Sequence, residues 1–124
     1  MLAIFRVCGG LYLISAMWCV FQADAAAGFL GLGLNTGLAR SEFFAVYGGL
    51  QFGLGAAMLL SSFAPRYVEA AFFFSAVFSF CLALFRLVSF SIYGWTDASL
   101  LMLAIEVGIA SVLVYGWWRL SPEK

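Results

Sequence analysis

The sequence predicts an all-α fold: a polytopic membrane protein built as an antiparallel bundle of four transmembrane helices. Of its 124 residues, 65% are hydrophobic, 19% are aromatic and 10% are charged, which is far more apolar surface than a soluble domain of this size can bury. Four apolar stretches reach the roughly 20 residues that a helix needs to cross a bilayer. These spans lie at about 2–22, 42–62, 68–92 and 98–118, and we expect residues 1–124 to form a single four-helix domain.

The breaks between the later spans carry turn-forming residues. Ala64-Pro65-Arg66 follows the second span, and Tyr93-Gly94-Trp95-Thr96-Asp97 follows the third. Such short connections place helices 2, 3 and 4 in an antiparallel series. Ser41 before Glu42 predicts an N-cap for the second helix, and Asp97 can cap the fourth helix in the same way.

The segment 23–41 is apolar and Gly-rich, and it is too short to cross the membrane and return. We expect an interfacial or re-entrant loop. Its GLGLNTG run does not satisfy the GxGxxG pattern, and it follows a membrane helix where a dinucleotide-binding fold needs a strand. The sequence therefore does not predict phosphate binding in this segment.

The first span has a second interpretation as a secretory signal. Arg6, the apolar run and Ala23-Asp24-Ala25 imitate a signal peptide with a cleavage site. The run has the length of a full span, however, and its polar and small residues share one helix face, as expected for a helix packed in a bundle. That face carries Tyr12, Ser15, Cys19 and Gln22.

The basic residues predict the orientation of the chain. Four spans place Arg40 alone on one side of the membrane and four basic residues on the other. Those four residues are Arg6, Arg66, Arg119 and Lys124. Because basic residues favour the cytoplasmic side, we expect both termini in the cytoplasm.

Two charged residues lie deep within the third and fourth spans, namely Arg86 and Glu106. An intramembrane charge costs about 2.5 to 3.5 kcal/mol on insertion scales, so we expect the two to meet. Counting 1.5 Å per residue from the outer helix ends places Arg86 about 9 Å, Glu106 about 10 Å and Gln51 about 13 Å deep. The predicted polar cluster consists of Tyr47, Gln51, Arg86, Ser89 and Glu106.

This cluster has two interpretations. It can form a pocket that holds the head of a hydrophobic small molecule or carries a proton. Alternatively, the ion pair only fixes which helices pack together. Gly48, Gly49 and Gly53 are predicted helix-packing positions, because Gly49-x-x-x-Gly53 allows helix backbones to approach closely within one chain or between two.

Three sequence stretches resemble a known family. FFAVYGGLQFGLGAAMLL, FRLVSFSIYG and LAIEVGIASVL are similar to uncharacterised bacterial four-helix membrane proteins grouped as domain of unknown function 4345, which are related to the DoxX-like group. The resemblance implies a four-helix bundle in a bacterial inner membrane, and it covers most of the chain. It points to Tyr47, Gly48, Gly49, Arg86 and Glu106 as matching positions. The family's Asp-Gly after the third span is replaced here by Tyr93-Gly94-Trp95-Thr96-Asp97.

Three functions follow as hypotheses. The first is binding of a lipid-like or quinone-like small molecule, since DoxX-like proteins are associated with quinone-linked redox systems. The second is a non-catalytic accessory or assembly subunit that contacts another membrane protein or a second copy. The third is a dimeric proton-coupled exporter, which is disfavoured because Arg86 would compete with a cationic substrate.

Composition argues against other classes of function. Six basic and six acidic residues balance, which argues against a nucleic-acid partner. The chain has no histidine, so a metal or other cofactor is not expected. No Ser-His-Asp set or paired carboxylates can be assembled, and we assign no catalytic residue. Membrane lipid is the one expected partner in every case.

Overall fold

Helices make up all of the regular secondary structure in residues 1–121, the part of the chain that the computed structural model describes. The helices are α1 (Leu2–Phe21), α2 (Ala23–Phe29), α3 (Gly37–Ser61), α4 (Pro65–Tyr93) and α5 (Asp97–Leu120). All except the short α2 are long and apolar enough to span a membrane. The predicted all-α, four-span architecture is therefore confirmed. Lys124, used above to predict orientation, lies outside the described residues.

The structure corrects both predicted helix caps. Helix α3 begins at Gly37 instead of near residue 42, because the Thr36 side chain accepts a hydrogen bond from the backbone N–H of Ala39 at 3.1 Å. Ser41 is therefore inside the helix. Helix α5 is capped by Thr96 instead of Asp97, and Thr96 and Ser99 form a reciprocal capping box. Asp97 is the first helical residue, where its charge complements the helix dipole.

Helix α2 occupies the first part of the segment predicted as an interfacial or re-entrant loop. It continues almost directly from α1 after Gln22, and a turn through Gly31, whose φ is +73°, leads towards α3. A surface ion pair joins α2 to α3, with Arg40 Nη2 lying 2.8 Å from Asp24 Oδ1. Both side chains are exposed, so the pair adds little stability.

The four spans run alternately up and down, so both ends of the described chain lie at one end of the bundle. We call this the terminal end, and the opposite one the α2 end. Each span contributes one fully buried side chain to a layer near the terminal end, namely Phe5, Met58, Phe72 and Leu113. The Phe5 and Phe72 rings stack with their centroids 4.0 Å apart.

A second apolar layer near the α2 end has a different composition. It contains Cys19 from α1, Ala26 and Ala27 from α2, and Phe43 from α3. Neither α4 nor α5 contributes a buried side chain to this layer. The bundle is therefore packed by all four spans at the terminal end, whereas α2 replaces part of that packing at the other end.

Helix α3 contains a π-helical stretch, Phe44–Leu50, between two α-helical parts. Its wider turns change the direction of the side chains relative to an ideal α-helix. Tyr47 and Gly48 lie in this stretch, and Gln51 follows it directly. The angular relation between Tyr47 and Gln51 therefore differs from that of an uninterrupted α-helix.

Glycines allow close approach between helices, although not at every predicted position. A Cβ on Gly48 would lie 2.7 Å from a side-chain carbon of Val20, so Gly48 is at a tight contact with α1. A Cβ on Gly53 would meet no heavy atom within 4 Å, and one on Gly49 only the Phe44 carbonyl oxygen of its own helix, at 4.0 Å. Gly49 and Gly53 are exposed, so their role in packing between chains stays a prediction.

Gly9 and Gly55 form a close backbone contact between α1 and α3. A Cβ on Gly55 would lie 2.7 Å from the Gly9 carbonyl oxygen. Gly116 of α5 similarly leaves room for the Phe72 ring, which an added Cβ would overlap. These glycines, together with Gly48, are the ones that bring the spans together within the chain.

Replacement of Gly55 by alanine tests the contact between α1 and α3. The added Cβ meets two backbone atoms of α1, the Gly9 oxygen at 2.7 Å and the Leu13 nitrogen at 3.0 Å, so the helices must separate. We expect Gly55→Ala to lower the free energy of unfolding by about 1 to 3 kcal/mol. The measurement is unfolding of the detergent-solubilised protein followed by circular dichroism.

Gly53→Ala is the matched control in the same helix. Its Cβ enters open space, so stability should be unchanged or rise by up to about 1 kcal/mol through better helix propensity. Equal destabilisation by the two substitutions would contradict the packing described for Gly55.

Candidate functional site

Arg86 of α4 and Glu106 of α5 form a bidentate ion pair. Arg86 Nε donates to Glu106 Oε2 and Arg86 Nη2 donates to Glu106 Oε1, both at 2.6 Å. The Glu106 side chain is 11% exposed and that of Arg86 is 27% exposed. Two parallel charge-assisted hydrogen bonds fix the orientation of both groups as well as their separation.

Helical periodicity explains why these two residues meet. Arg86 follows buried Ser79 and Ala83 at helical spacing on α4, and Glu106 precedes buried Ala110 and Leu113 on α5. Both charged side chains therefore start from the packed faces of adjacent antiparallel helices. The depth count from the sequence placed them at one level, and the structure places their side chains in direct contact.

The other predicted members of the cluster are arranged differently. The Ser89 hydroxyl donates to the Arg86 carbonyl oxygen of its own helix at 2.6 Å, so it binds neither charged group. Tyr47 lies within electrostatic range of Arg86, and its ring stacks on Phe43 with centroids 4.8 Å apart. Its hydroxyl forms no hydrogen bond within residues 1–121. The predicted site therefore consists of one direct pair and a more distant tyrosine.

Gln51 contains an unsatisfied polar atom inside the bundle. It shares a face of α3 with the buried residues Leu54 and Met58. Its Oε1 atom is buried, and no group in the described chain donates a hydrogen bond to it. A buried oxygen without a donor costs about 1 to 3 kcal/mol, so Gln51 has capacity for a donor from outside the chain.

A second polar contact was not predicted from the sequence. The hydroxyl groups of Tyr12 on α1 and Ser79 on α4 are hydrogen-bonded at 3.1 Å, and both residues are buried. Tyr12 also lies within electrostatic range of Glu106. The sequence placed Tyr12 on the polar face of its helix, but nothing in it indicated that α1 and α4 meet at this level.

A cavity of about 330 Å³ lies above the ion pair at the α2 end. One wall is the end of α2 and the following turn, residues 28–31. Arg86 and the start of α5 form the rest, with Thr96, Ser99 and Met102 in the lining. This outer cavity lies where α4 and α5 contribute nothing to the second apolar layer.

Arg86 is the one charged residue in the lining of the outer cavity. Its Nε and Nη2 groups are bonded to Glu106, whereas Nη1 donates no hydrogen bond within residues 1–121. A guanidinium has five N–H donors and no acceptor, so the unused donors require an oxygen or another acceptor. The site can therefore bind a carbonyl, carboxylate or phosphate oxygen.

Residues that could hold a metal are not grouped in the described part of the chain. Within residues 1–121, no three Cys, Asp or Glu side chains lie close enough together to ligate an ion. The thiols of Cys8, Cys19 and Cys81 are all free. The chemistry that the site can offer is that of a guanidinium, a carboxylate, a phenol and an amide.

The fold and the buried ion pair define a multi-pass membrane protein with a polar intramembrane site. Residues 1–118 match the family model described as a domain of unknown function, DUF4345. Because the match covers nearly the whole chain, the chain belongs to this family, which carries no assigned function. No curated protein and no solved structure matches the chain.

Single and double substitutions test the coupling of the ion pair. Glu106→Gln leaves a guanidinium that cannot lose its proton, and we expect a loss of about 3 to 5 kcal/mol in the free energy of unfolding. Arg86→Gln should cost less, because a carboxyl group left in the bundle can take up a proton. Unfolding in detergent at neutral pH, followed by circular dichroism, measures each loss.

The double variant Arg86→Gln/Glu106→Gln completes a double-mutant cycle for the ion pair. Two neutral amides can bond to each other, so the loss should be smaller than the sum of the two single losses. A strictly additive result would show that the two charged groups do not stabilise each other.

Proposed function

We propose that this protein binds an amphipathic small molecule, lipid-like or quinone-like, with the polar head in the outer cavity beside Arg86. The observation that supports the proposal best is that Arg86 lines that cavity while its Nη1 group donates no hydrogen bond within residues 1–121. A guanidinium in a membrane protein with unsatisfied donors favours a ligand oxygen. Glu106 positions the guanidinium and balances its charge.

The composition of the cavity wall supports a head of modest size and polarity. Beside Arg86, the lining consists of the glycines Gly28 and Gly31, small side chains such as Ala98 and Ser99, and apolar side chains such as Met102. One cation and otherwise uncharged walls suit a carbonyl or a single anionic group better than a highly charged head. The Tyr47 hydroxyl, which lies within electrostatic range of Arg86, offers further hydrogen bonding near the pair.

A ligand that purifies with the protein tests this function. We expect mass spectrometry of a mild-detergent extract to detect an amphipathic molecule bound to the wild-type protein. In Arg86→Gln/Glu106→Gln, occupancy should fall about tenfold or more, because a hydrogen bond to a charged group contributes about 1.5 to 3 kcal/mol.

Arg40→Gln is the matched control, since it removes an arginine from the exposed pair with Asp24. It should leave occupancy unchanged. A wild-type extract without an amphipathic molecule, or equal occupancy in the folded double variant, would overturn the proposal.

A second candidate function is a non-catalytic accessory or assembly subunit. The exposed, unoccupied faces of Gly49 and Gly53 favour it, because small residues at this spacing allow another membrane helix to approach closely. If the extract holds no ligand and another membrane protein crosslinks to a reactive group placed at Gly53, the accessory-subunit function is better supported than ligand binding. Transport by a proton-coupled dimer has less support, since Arg86 already occupies both carboxylate oxygens of Glu106.

We also propose that the protein lies in a bacterial inner membrane with both termini in the cytoplasm, as part of the DoxX-like group. Arg6, Arg66 and Arg119 all lie towards the terminal end of the bundle, whereas Arg40 lies towards the α2 end. The cytoplasmic side attracts basic residues, so the terminal end should face inward.

Reporter fusions test this orientation. Green fluorescent protein fused to the C-terminus should fluoresce, and alkaline phosphatase at the same point should be inactive. The same reporters fused after Gly94, between α4 and α5, should give the opposite pattern. An active C-terminal phosphatase would reverse the proposed orientation.

A further inference from the structure

A second recess at the α2 end lies between α3 and the segment that leads into it. Its volume is about 290 Å³, and it shares no lining residue with the outer cavity. Residues 32–34 form one wall, and one face of α3 forms the other. We call this recess the acidic groove, because Glu42 is its one charged lining residue. The α3 residues that line it are Ala39, Glu42, Phe43, Val46 and Tyr47.

The Glu42 carboxylate has no counter-ion within residues 1–121. Arg40, the nearest basic residue in the sequence, binds Asp24 instead, and its two terminal nitrogens donate to that carboxylate at 2.8 and 3.4 Å. Arg86 is bonded to Glu106. The described chain therefore supplies no cation to the acidic groove.

Asp97 is also unpaired at the α2 end of the described chain, but its position explains its charge. It is the first residue of α5, where a carboxylate complements the helix dipole. Glu42 is the sixth residue of α3, beyond the first turn, so the dipole of α3 stabilises it little. A recess whose lining carries one negative charge attracts a cation from outside the chain.

The depth of Glu42 indicates which cation can reach it. Helix α3 has 25 residues, so it is about 36 Å long, whereas the hydrocarbon core of a bilayer is about 30 Å thick. A centred helix places Glu42 about 5 Å inside the hydrocarbon boundary. The ammonium groups of phospholipid heads lie just outside this boundary, whereas a soluble cation would have to leave water.

The rest of the lining suits an ammonium group that carries N–H donors. The Phe43 and Tyr47 rings are stacked with their centroids 4.8 Å apart, and aromatic faces attract cations. The carbonyl groups of residues 32–34 accept no hydrogen bond within residues 1–121, so acceptors are available beside the carboxylate. A primary ammonium offers three donors to such a set. Leu32 and Val46 provide apolar contact for the lipid below its head.

We propose that the acidic groove binds the primary ammonium head of a phospholipid, with Glu42 as its counter-ion. This site goes beyond the proposed function, because it uses neither Arg86 nor the outer cavity. The charge of Glu42 and its depth together favour a lipid head over a soluble amine.

Native mass spectrometry tests the preference for this head group. The full chain in mild detergent is incubated with phosphatidylethanolamine, phosphatidylcholine and phosphatidylglycerol that carry identical acyl chains, so that only the heads differ. We expect phosphatidylethanolamine to be retained about fivefold more than either of the others, the ratio expected for a partly exposed ion pair.

Glu42→Gln keeps the size of the side chain and removes its charge, so it should abolish this preference. Glu42→Lys should reverse it in favour of phosphatidylglycerol. Val46→Phe fills the groove without a change of charge, and it should also abolish the preference. Glu69→Gln is the matched control, since Glu69 is an exposed acid on α4 outside the groove. It should leave the preference unchanged.

Several outcomes would overturn the site. These are equal retention of the three lipids by the wild-type protein, a preference that persists in Glu42→Gln or in Val46→Phe, and an equal loss of preference in Glu69→Gln. The double variant Arg86→Gln/Glu106→Gln separates this site from the proposed function. It should keep the preference for phosphatidylethanolamine while it loses the ligand of the outer cavity.

Discussion

The arrangement of α4 and α5 depends on one constraint: two charges placed in hydrocarbon must neutralise each other. Each alone would cost about 2.5 to 3.5 kcal/mol on insertion scales. The bidentate geometry of Arg86 and Glu106 satisfies both carboxylate oxygens and two guanidinium nitrogens. A shift of one helix by a turn, about 5.4 Å, would separate the groups, so the pair fixes the relative height of the two helices.

The remaining spans are positioned by shape instead of charge. Gly9 and Gly55 bring α1 and α3 into backbone contact, and Phe5, Met58, Phe72 and Leu113 fill the terminal end. At the other end α2 packs on α1 and α3, and the buried layer there contains no residue of α4 or α5. The outer cavity lies between residues 28–31 and the α4–α5 pair, beside Arg86.

The sequence was sufficient to predict the four spans and the contact between Arg86 and Glu106, because hydropathy, spacing and depth are local quantities. The sequence did not predict the correct hydrogen-bond partner or helix cap where two nearby groups could take the same role. Ser89 bonds to its own backbone, which a serine in a helix can always reach. Thr36 took the capping position from Ser41, because its side chain accepts from the backbone N–H of Ala39 and α3 therefore begins at Gly37. The contact of Tyr12 with Ser79 and the wall formed by residues 28–31 depend on tertiary packing, which no local pattern encodes.

A structural ion pair and a ligand site need not exclude each other here, because guanidinium geometry separates the two roles. Nε and Nη2 lie on one edge of the planar group and bind Glu106, while Nη1 is left for a different acceptor. A lysine offers three donors from a single point, and its contact with a carboxylate would compete with a ligand for the same atom. The arginine, which lines the outer cavity, can therefore hold α4 to α5 and still keep donors free for another acceptor. Binding of the proposed ligand to those donors would leave the helix contact intact, so the proposed function does not require the ion pair to break.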